Sequence, residues 1–358
     1  MKMTFRWYGE KFDSIPLKHI RQIPGITGVV TTLMDVPVGE VWPIEKIMAM
    51  YEYVKNSNLE MEVIESVNVH EDIKLGKSTR DIYIDNYIET IRNLSQVGVK
   101  VICYNFMPVF DWTRTDLSYS LEDDSKVLCY KQQIIDKIKS PQDMARDIKQ
   151  NSNGYELPGW EPERLSELSA LFDAYKNVDH EQLFQNLIYF LNKIIPVCEE
   201  CDIKMAIHPD DPPWDIFGLP RIVNNKKNID KILQGVDSPY NGITLCSGSL
   251  GADPNNNIPE LIRYFGAKKR IHFAHIRNIK FVGERYFHET SHLSSDGSLD
   301  LYEIMKAYVD SGFDGYIRPD HGRMIWDEIG RPGYGLFDRA LGITYMNGIL
   351  EAIVKSST

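Results

Sequence analysis

Eight short runs rich in β-branched and apolar residues recur along the chain, and longer stretches of helical periodicity separate most of them. The runs are Thr4–Tyr8 (TFRWY), Gly28–Thr32 (GVVTT), Met61–Ser66 (MEVIES), Val99–Phe106 (VKVICYNF), Ile203–His208 (IKMAIH), Gly242–Cys246 (GITLC), Arg270–His275 (RIHFAH) and Gly315–Asp320 (GYIRPD). Several are apolar nearly throughout, as strands are when a parallel sheet is covered on both faces. Between them, residues 44–55 carry a broad apolar stripe at Ile44, Ile47, Met48, Met50, Tyr51 and Val54. Residues 81–96 and 182–199 repeat that pattern, 258–265 and 301–310 give shorter versions, and 337–354 closes the chain. Eight strands alternating with helices predict an α/β fold, a (β/α)8 TIM barrel, with residues 1–358 forming one domain. The alternative is an open doubly wound sheet, which would usually carry a Gly-rich nucleotide loop after an early strand; none is visible.

One segment breaks the rhythm. Residues 111–180 separate the fourth strand from its return helix. A helix start at Ser140-Pro-Gln-Asp and an amphipathic segment over 162–175 predict a helical insertion rather than a bare loop. It follows the strand end at which barrels carry their sites, so a lid or a dimerisation segment is expected, within a homo-oligomer, a dimer.

The net charge of −11 and pI near 5.4 argue against a nucleic-acid partner, whose phosphates call for clustered Lys and Arg. A small anion remains admissible, since one or two arginines in a pocket override the global charge. No stretch approaches the ~20 apolar residues of a membrane span. The N-terminal MKMTFRWYGEKF has no apolar signal region, and five scattered cysteines are not a disulfide framework. A reducing cytoplasm is the expected location.

Four strand ends present ligand-type residues in succession: His208, Cys246, His275 and Asp320, separated by 38, 29 and 45 residues. Each spacing suits one βα unit, and neighbouring strands lie about 4.8 Å apart, so the four can converge on one ion. A single His or Cys at a strand end is more often merely packed; four in succession are harder to explain that way. Imidazole, thiolate and carboxylate together suit Mn, Fe or Zn better than Mg or Ca. Cys198 and Cys201 form a CxxC but sit at the end of an apolar helix with no second ligand pair, and Cys103 reads as strand core. HETSH (288–292) has zinc-protease spacing, yet its surroundings fit a loop. His321 follows Asp320 at the mouth, and Tyr334 sits between Gly333 and Gly335, which can present a phenol to a cavity or merely pack it in a turn. Arg6, Arg277, Arg318 and Arg323 are candidates to grip a carboxylate, with His292 as a further substrate contact.

From TFRWYG and IPGITGVVTTL through NFMPVFDWTRTDL, AIHPDDPPW, LCSGSLG, FAHIRN, FHETSH and RPDHGRMIWDE to RPGYGLFDRALG, the chain resembles the mannonate dehydratases over essentially its whole length. The resemblance implies a fold related to xylose isomerases. It also implies a hydro-lyase that converts D-mannonate to 2-dehydro-3-deoxy-D-gluconate in hexuronate catabolism, with Mn(II) or Fe(II) as cofactor. Carried over, the metal ligands fall on His208, Cys246, His275 and Asp320, and the acid–base pair on His321 and Tyr334. Either order of that pair suits the chemistry, with Tyr334 as base and His321 as donor preferred. A metal-dependent sugar isomerase or epimerase on the same fold, or a non-catalytic sugar-acid sensor, are the competing functions.

Overall fold

The computed structural model describes residues 1–138, 143, 146 and 168–356. In chain order its strands are β1 (Lys2–Arg6), β2 (Ile26–Thr31), β3 (Glu60–Glu65), β4 (Val101–Tyr104), β5 (Asp116–Ser120) and β6 (Lys126–Lys131). They continue as β7 (Lys204–Ile207), β8 (Asn241–Cys246), β9 (Ile271–Ile276), β10 (Ile279–Gly283), β11 (Tyr286–Glu289) and β12 (Tyr316–Pro319). Eight of them close a parallel barrel in the order β1-β12-β9-β8-β7-β4-β3-β2, and β1 pairs with β2 to seal it. These eight are the runs picked out by sequence, with ends that differ by at most two residues.

The helices are α1 (Leu17–Ile20), α2 (Ile44–Asn56), α3 (Glu71–Lys74), α4 (Arg80–Ser95), α5 (Gln132–Ile135) and α6 (Leu168–Tyr175). There follow α7 (His180–Cys201), α8 (Lys226–Gly235), α9 (Ser247–Gly251), α10 (Ile258–Ala267), α11 (Leu301–Asp310) and α12 (Phe337–Ser356). Helix α8 has no counterpart in the sequence reading. Its buried face is only Ile229, Ile232 and Leu233 among Lys, Asn and Asp, a stripe too short to stand out. Among the described residues no helix is long and apolar enough to cross a membrane.

Strand alternation explains where the core divides. In β4, Ile102 and Tyr104 face the helix layer while Val101 and Cys103 fill the barrel interior with Val30, Val63, Ala206 and Phe273. Because successive side chains point to opposite faces, the inward set continues two residues on. Ala206 leads to His208, Thr244 to Cys246, Phe273 to His275, and Arg318 to Asp320. The same parity carries Thr4 to Arg6 and Val63 to Glu65. The ligand-type residues therefore crown the interior layer at the C-terminal mouth, and a one-residue slip would turn any of them outward.

The insertion after β4 is not purely helical. It opens with the β5–β6 hairpin, which joins β11 and β10 in a second, antiparallel sheet ordered β10-β11-β6-β5. The two strands flank a Leu-Glu-Asp-Asp-Ser turn in which Asp124 adopts φ 65°, and Leu117 and Leu128 bury themselves against the barrel mouth. The expected helix start at Ser140 lies outside the described residues, whereas Leu168–Tyr175 is helix as expected. Leu171 of α6, with Asp111 and Trp112 before β5, walls the cavity above the barrel.

Candidate functional site

His208, Cys246, His275 and Asp320 converge so that their ligand atoms all lie within 4.8 Å of one another. His208 Nε2 is 3.2 Å from His275 Nδ1, and Cys246 Sγ is 3.5 Å from Asp320 Oδ2. His208 stands just beyond β7, Cys246 ends β8, His275 lies in β9, and Asp320 follows β12.

The proton inventory of this cluster argues for a cation. His208 Nδ1 lies 2.7 Å from the carbonyl of Pro209, which can only accept, so its proton is on Nδ1 and Nε2 carries a lone pair. His275 Nε2 faces Glu65 Oε2 at 3.4 Å, an ion-pair distance though too oblique for a hydrogen bond. A proton on that nitrogen leaves Nδ1 bare as well. Two imidazole lone pairs then oppose each other at 3.2 Å, and Arg318 Nη2 reaches only one of them, at 3.5 Å. A metal ion between them removes the repulsion, and each ring's other nitrogen faces a carbonyl or carboxylate, as metal-bound histidines do. Ser249 turns both its N–H (3.4 Å) and its hydroxyl (3.1 Å) towards Cys246 Sγ. These residues fit a borderline divalent ion.

Behind the cluster lies a buried ion network. Arg114 forms a bidentate pair with Asp211 (2.8 and 3.0 Å) and a second bond to Glu289 at 2.8 Å. Arg277 reaches Asp211 at 2.9 Å and Asp320 at 3.3 Å. Arg318 clasps Glu65 at 2.9 and 3.0 Å and reaches Asp320 Oδ1 at 2.9 Å. Burial alone would raise all four carboxyls, but the guanidiniums override it. Asp211 is held far below the usual carboxylate range by Arg114 and Arg277, Glu289 is lowered by the same two, Glu65 is lowered chiefly by Arg318, and Asp320 is lowered by His321 together with Arg318.

His321 Nε2 is 2.9 Å from the Tyr334 hydroxyl, and His321 Nδ1 is 3.2 Å from Glu289 Oε1. Arg277 Nη1 also approaches Nδ1, at 3.0 Å. Arg277 can only donate and Glu289 can only accept, so the two compete for opposite tautomers. With the proton on Nδ1, His321 is oriented by Glu289 and its Nε2 accepts from Tyr334. Trp112 packs edge-on against the imidazole at 5.3 Å. Burial pushes the Tyr334 phenol well above its ordinary range, so the resting group is the neutral hydroxyl.

A cavity of about 570 Å³ opens onto His208, Asp320, His321 and Tyr334, and Arg6 and Arg277 also line it. The remaining sequence candidates lie elsewhere. Arg318 is buried beneath the cluster on Glu65 and Asp320. Arg323 clamps Asp338 and reaches Asp123 on the hairpin turn, and His292 is buried with Nε2 3.0 Å from the carbonyl of Ile276; neither lines the cavity. HETSH is not a helix: His288 and Glu289 end strand β11. Sequence reasoning missed Glu65, Arg114, Asp211 and Glu289. Glu65 ends a strand at inward parity, so the strand-end rule that picked out the ligand-type residues reaches it too. The other three sit on loops or in the small sheet, where only the folded chain brings them together.

The D-mannonate dehydratase (UxuA) family model matches residues 1–358. A mannonate dehydratase from Thermotoga petrophila is 63% identical over 355 residues, covering 99% of this chain and 98% of the relative. One from Lactococcus lactis subsp. cremoris is 56% identical, covering 99% of each. The crystal structure of mannonate dehydratase from Streptococcus suis serotype 2 superposes with a TM-score of 0.90 at 44% identity, covering 100% of this chain and 96% of that one. A xylose isomerase domain protein from Planctomyces limnophilus, at 12% identity and a TM-score of 0.57, shares the fold. On its sequence from end to end, the chain belongs to the D-mannonate dehydratase family.

Proposed function

We propose that this chain removes water from D-mannonate to give 2-dehydro-3-deoxy-D-gluconate, with Mn(II) or Fe(II) held by His208, Cys246, His275 and Asp320. The observation that carries the reading is the hydrogen-bonded His321–Tyr334 pair opening onto the same cavity as the ligand cluster. Five unpaired cysteines, four of them buried, suit a reducing cytoplasm.

The guanidiniums of Arg6 and Arg277 line the cavity and suit an anionic substrate such as a sugar acid. When bound, the ion supplies electrostatic stabilisation for the negative charge that develops as C2 loses its proton beside the carboxylate.

The chain's own residues move the protons. His321 Nε2 takes the C2 proton while Glu289 steadies Nδ1; the C2 electron pair then forms a C2=C3 bond as the C3–O bond breaks. The neutral Tyr334 hydroxyl protonates the departing oxygen, which leaves as water. The enol then takes a proton at C3 and gives up the proton of its C2 hydroxyl, becoming the 2-keto acid. This order reverses the one preferred from sequence, because a buried phenol is a donor before it is a base. The His321–Tyr334 hydrogen bond gives the C2 proton a path back to the phenol for the next turnover.

The test is to strip the protein of metal and assay D-mannonate turnover in D₂O with and without Mn(II). The keto-deoxy acid should form only with the ion; an isomerised sugar, or full turnover of the stripped protein, would overturn the reading. Tyr334→Phe and His321→Asn should both keep their metal; Tyr334→Phe should exchange C2 hydrogen for deuterium without releasing product, whereas His321→Asn should show neither exchange nor product. The opposite pattern would make Tyr334 the base.

A further inference from the structure

The mechanism leaves Tyr8 without a task. Tyr8, just past β1, is 1% exposed and lines the cavity beside Tyr334. Its ring lies between two guanidiniums, with Arg6 Cζ 4.1 Å and Arg331 Cζ 3.9 Å from the centroid. Its edge meets the Tyr334 ring at 5.2 Å and 86°. The backbone is fixed by Tyr8 N–H donating to Asp13 Oδ2 at 2.9 Å, but the hydroxyl has no hydrogen-bond partner among the described residues. Arg6 is similar: among the described residues only Nη1 is bonded, to the carbonyls of Trp7 (3.1 Å) and Val30 (3.3 Å), which leaves Nε and Nη2 for a ligand.

Asp13 supplies a negative charge beside Tyr8 and Arg331, whereas Tyr8 and Arg6 both line the cavity. Arg6 is 3% exposed, so water does little to screen its charge. A hydroxyl donor beside an unbonded guanidinium edge is a corner suited to an anionic oxygen. The structure assigns Tyr8 as a substrate-contacting residue whose hydroxyl donates to a carboxylate oxygen of the sugar acid, with the unbonded edge of Arg6 completing the corner. This assignment rests on the sugar-acid reading above and adds to it the group that recognises the acid end.

Tyr8→Phe removes one oxygen and keeps the ring, both cation contacts and the edge against Tyr334. A hydrogen bond to a charged group corresponds to roughly a tenfold to hundredfold change in affinity. The KM for D-mannonate should rise by that factor with kcat little changed, while inhibition by neutral D-mannitol stays as in the parent. Arg6→Lys, which keeps the charge but loses the fork, should raise KM in the same sense. A fall in kcat at constant KM would make Tyr8 a brace for Tyr334, and equal weakening towards D-mannitol would make it a hydroxyl contact; either overturns the assignment, as does an unchanged KM. If the parent protein itself fails to turn over D-mannonate, the proposed function falls instead. Calorimetric binding of D-mannonate to parent and Tyr8→Phe then still reads the Tyr8 contact.

Discussion

Glu65 shows how much a single side chain beyond the proposed ligands can decide. Its carboxylate is held bidentately by Arg318 and faces His275 Nε2 at 3.4 Å. Through that contact it selects which nitrogen of His275 carries the proton, and so whether Nδ1 offers a lone pair to the centre of the cluster. Glu65→Gln keeps the size but removes the charge that draws the proton to Nε2. Partners of this kind typically contribute 10–100-fold to metal affinity. Chelator competition against Mn(II) should show a loss within that range; an unchanged affinity would mean that the barrel alone orients His275.

At the scale of the element, the strands were legible and the loops were not. A parallel strand buried on both faces announces itself as an apolar run, and its alternation names which end residue faces inward; that is why His208, Cys246, His275 and Asp320 could be read from sequence. Arg114, Asp211 and Glu289 belong to connections whose course depends on which distant surfaces they pack against, so no local period marks them. The β5–β6 hairpin escaped notice for the same reason, since its apolar residues pack on the barrel mouth rather than on each other. Close packing between strands also makes a testable demand at β8. A Cβ on Gly242 would come within 2.6 Å of the Arg270 carbonyl and closer still to the His272 ring. Overpacking of this kind costs about 1–3 kcal/mol, so Gly242→Ala should melt several degrees lower; an unchanged midpoint would show that β8 and β9 can part without penalty.

Over the whole molecule, burial sets how stability responds to acid. His272, buried in β9 with Nδ1 2.7 Å from the carbonyl of Met205, is held down to about 4 by desolvation. The unfolded chain binds this proton near pH 6.5, so below that point unfolding takes up a proton that the fold refuses. Stability therefore declines as pH falls from about 6.5 towards 4, by a few kcal/mol from this group. The depressed carboxyls of Asp211, Glu289, Glu65 and Asp320 add a second loss below about pH 4, where the unfolded chain protonates them first. Melting of the parent and of His272→Gln between pH 7 and 4.5 should show the shallower decline in the variant; parallel curves would remove His272 from the account. The barrel's strand order carries a longer consequence. All four proposed metal ligands come from β7, β8, β9 and β12 or the residues just after them, neighbours in the sheet and all from residue 204 onward, whereas the cavity-lining Arg6, Tyr8, Thr32 and Glu65 come from β1 to β3 and the turns after them. The gene is thus written in two paragraphs, one for the proposed ion site and one for part of the cavity wall, joined across the fold by the Arg318–Glu65 clasp. A descendant could revise what it binds in the first paragraph while inheriting the second unchanged.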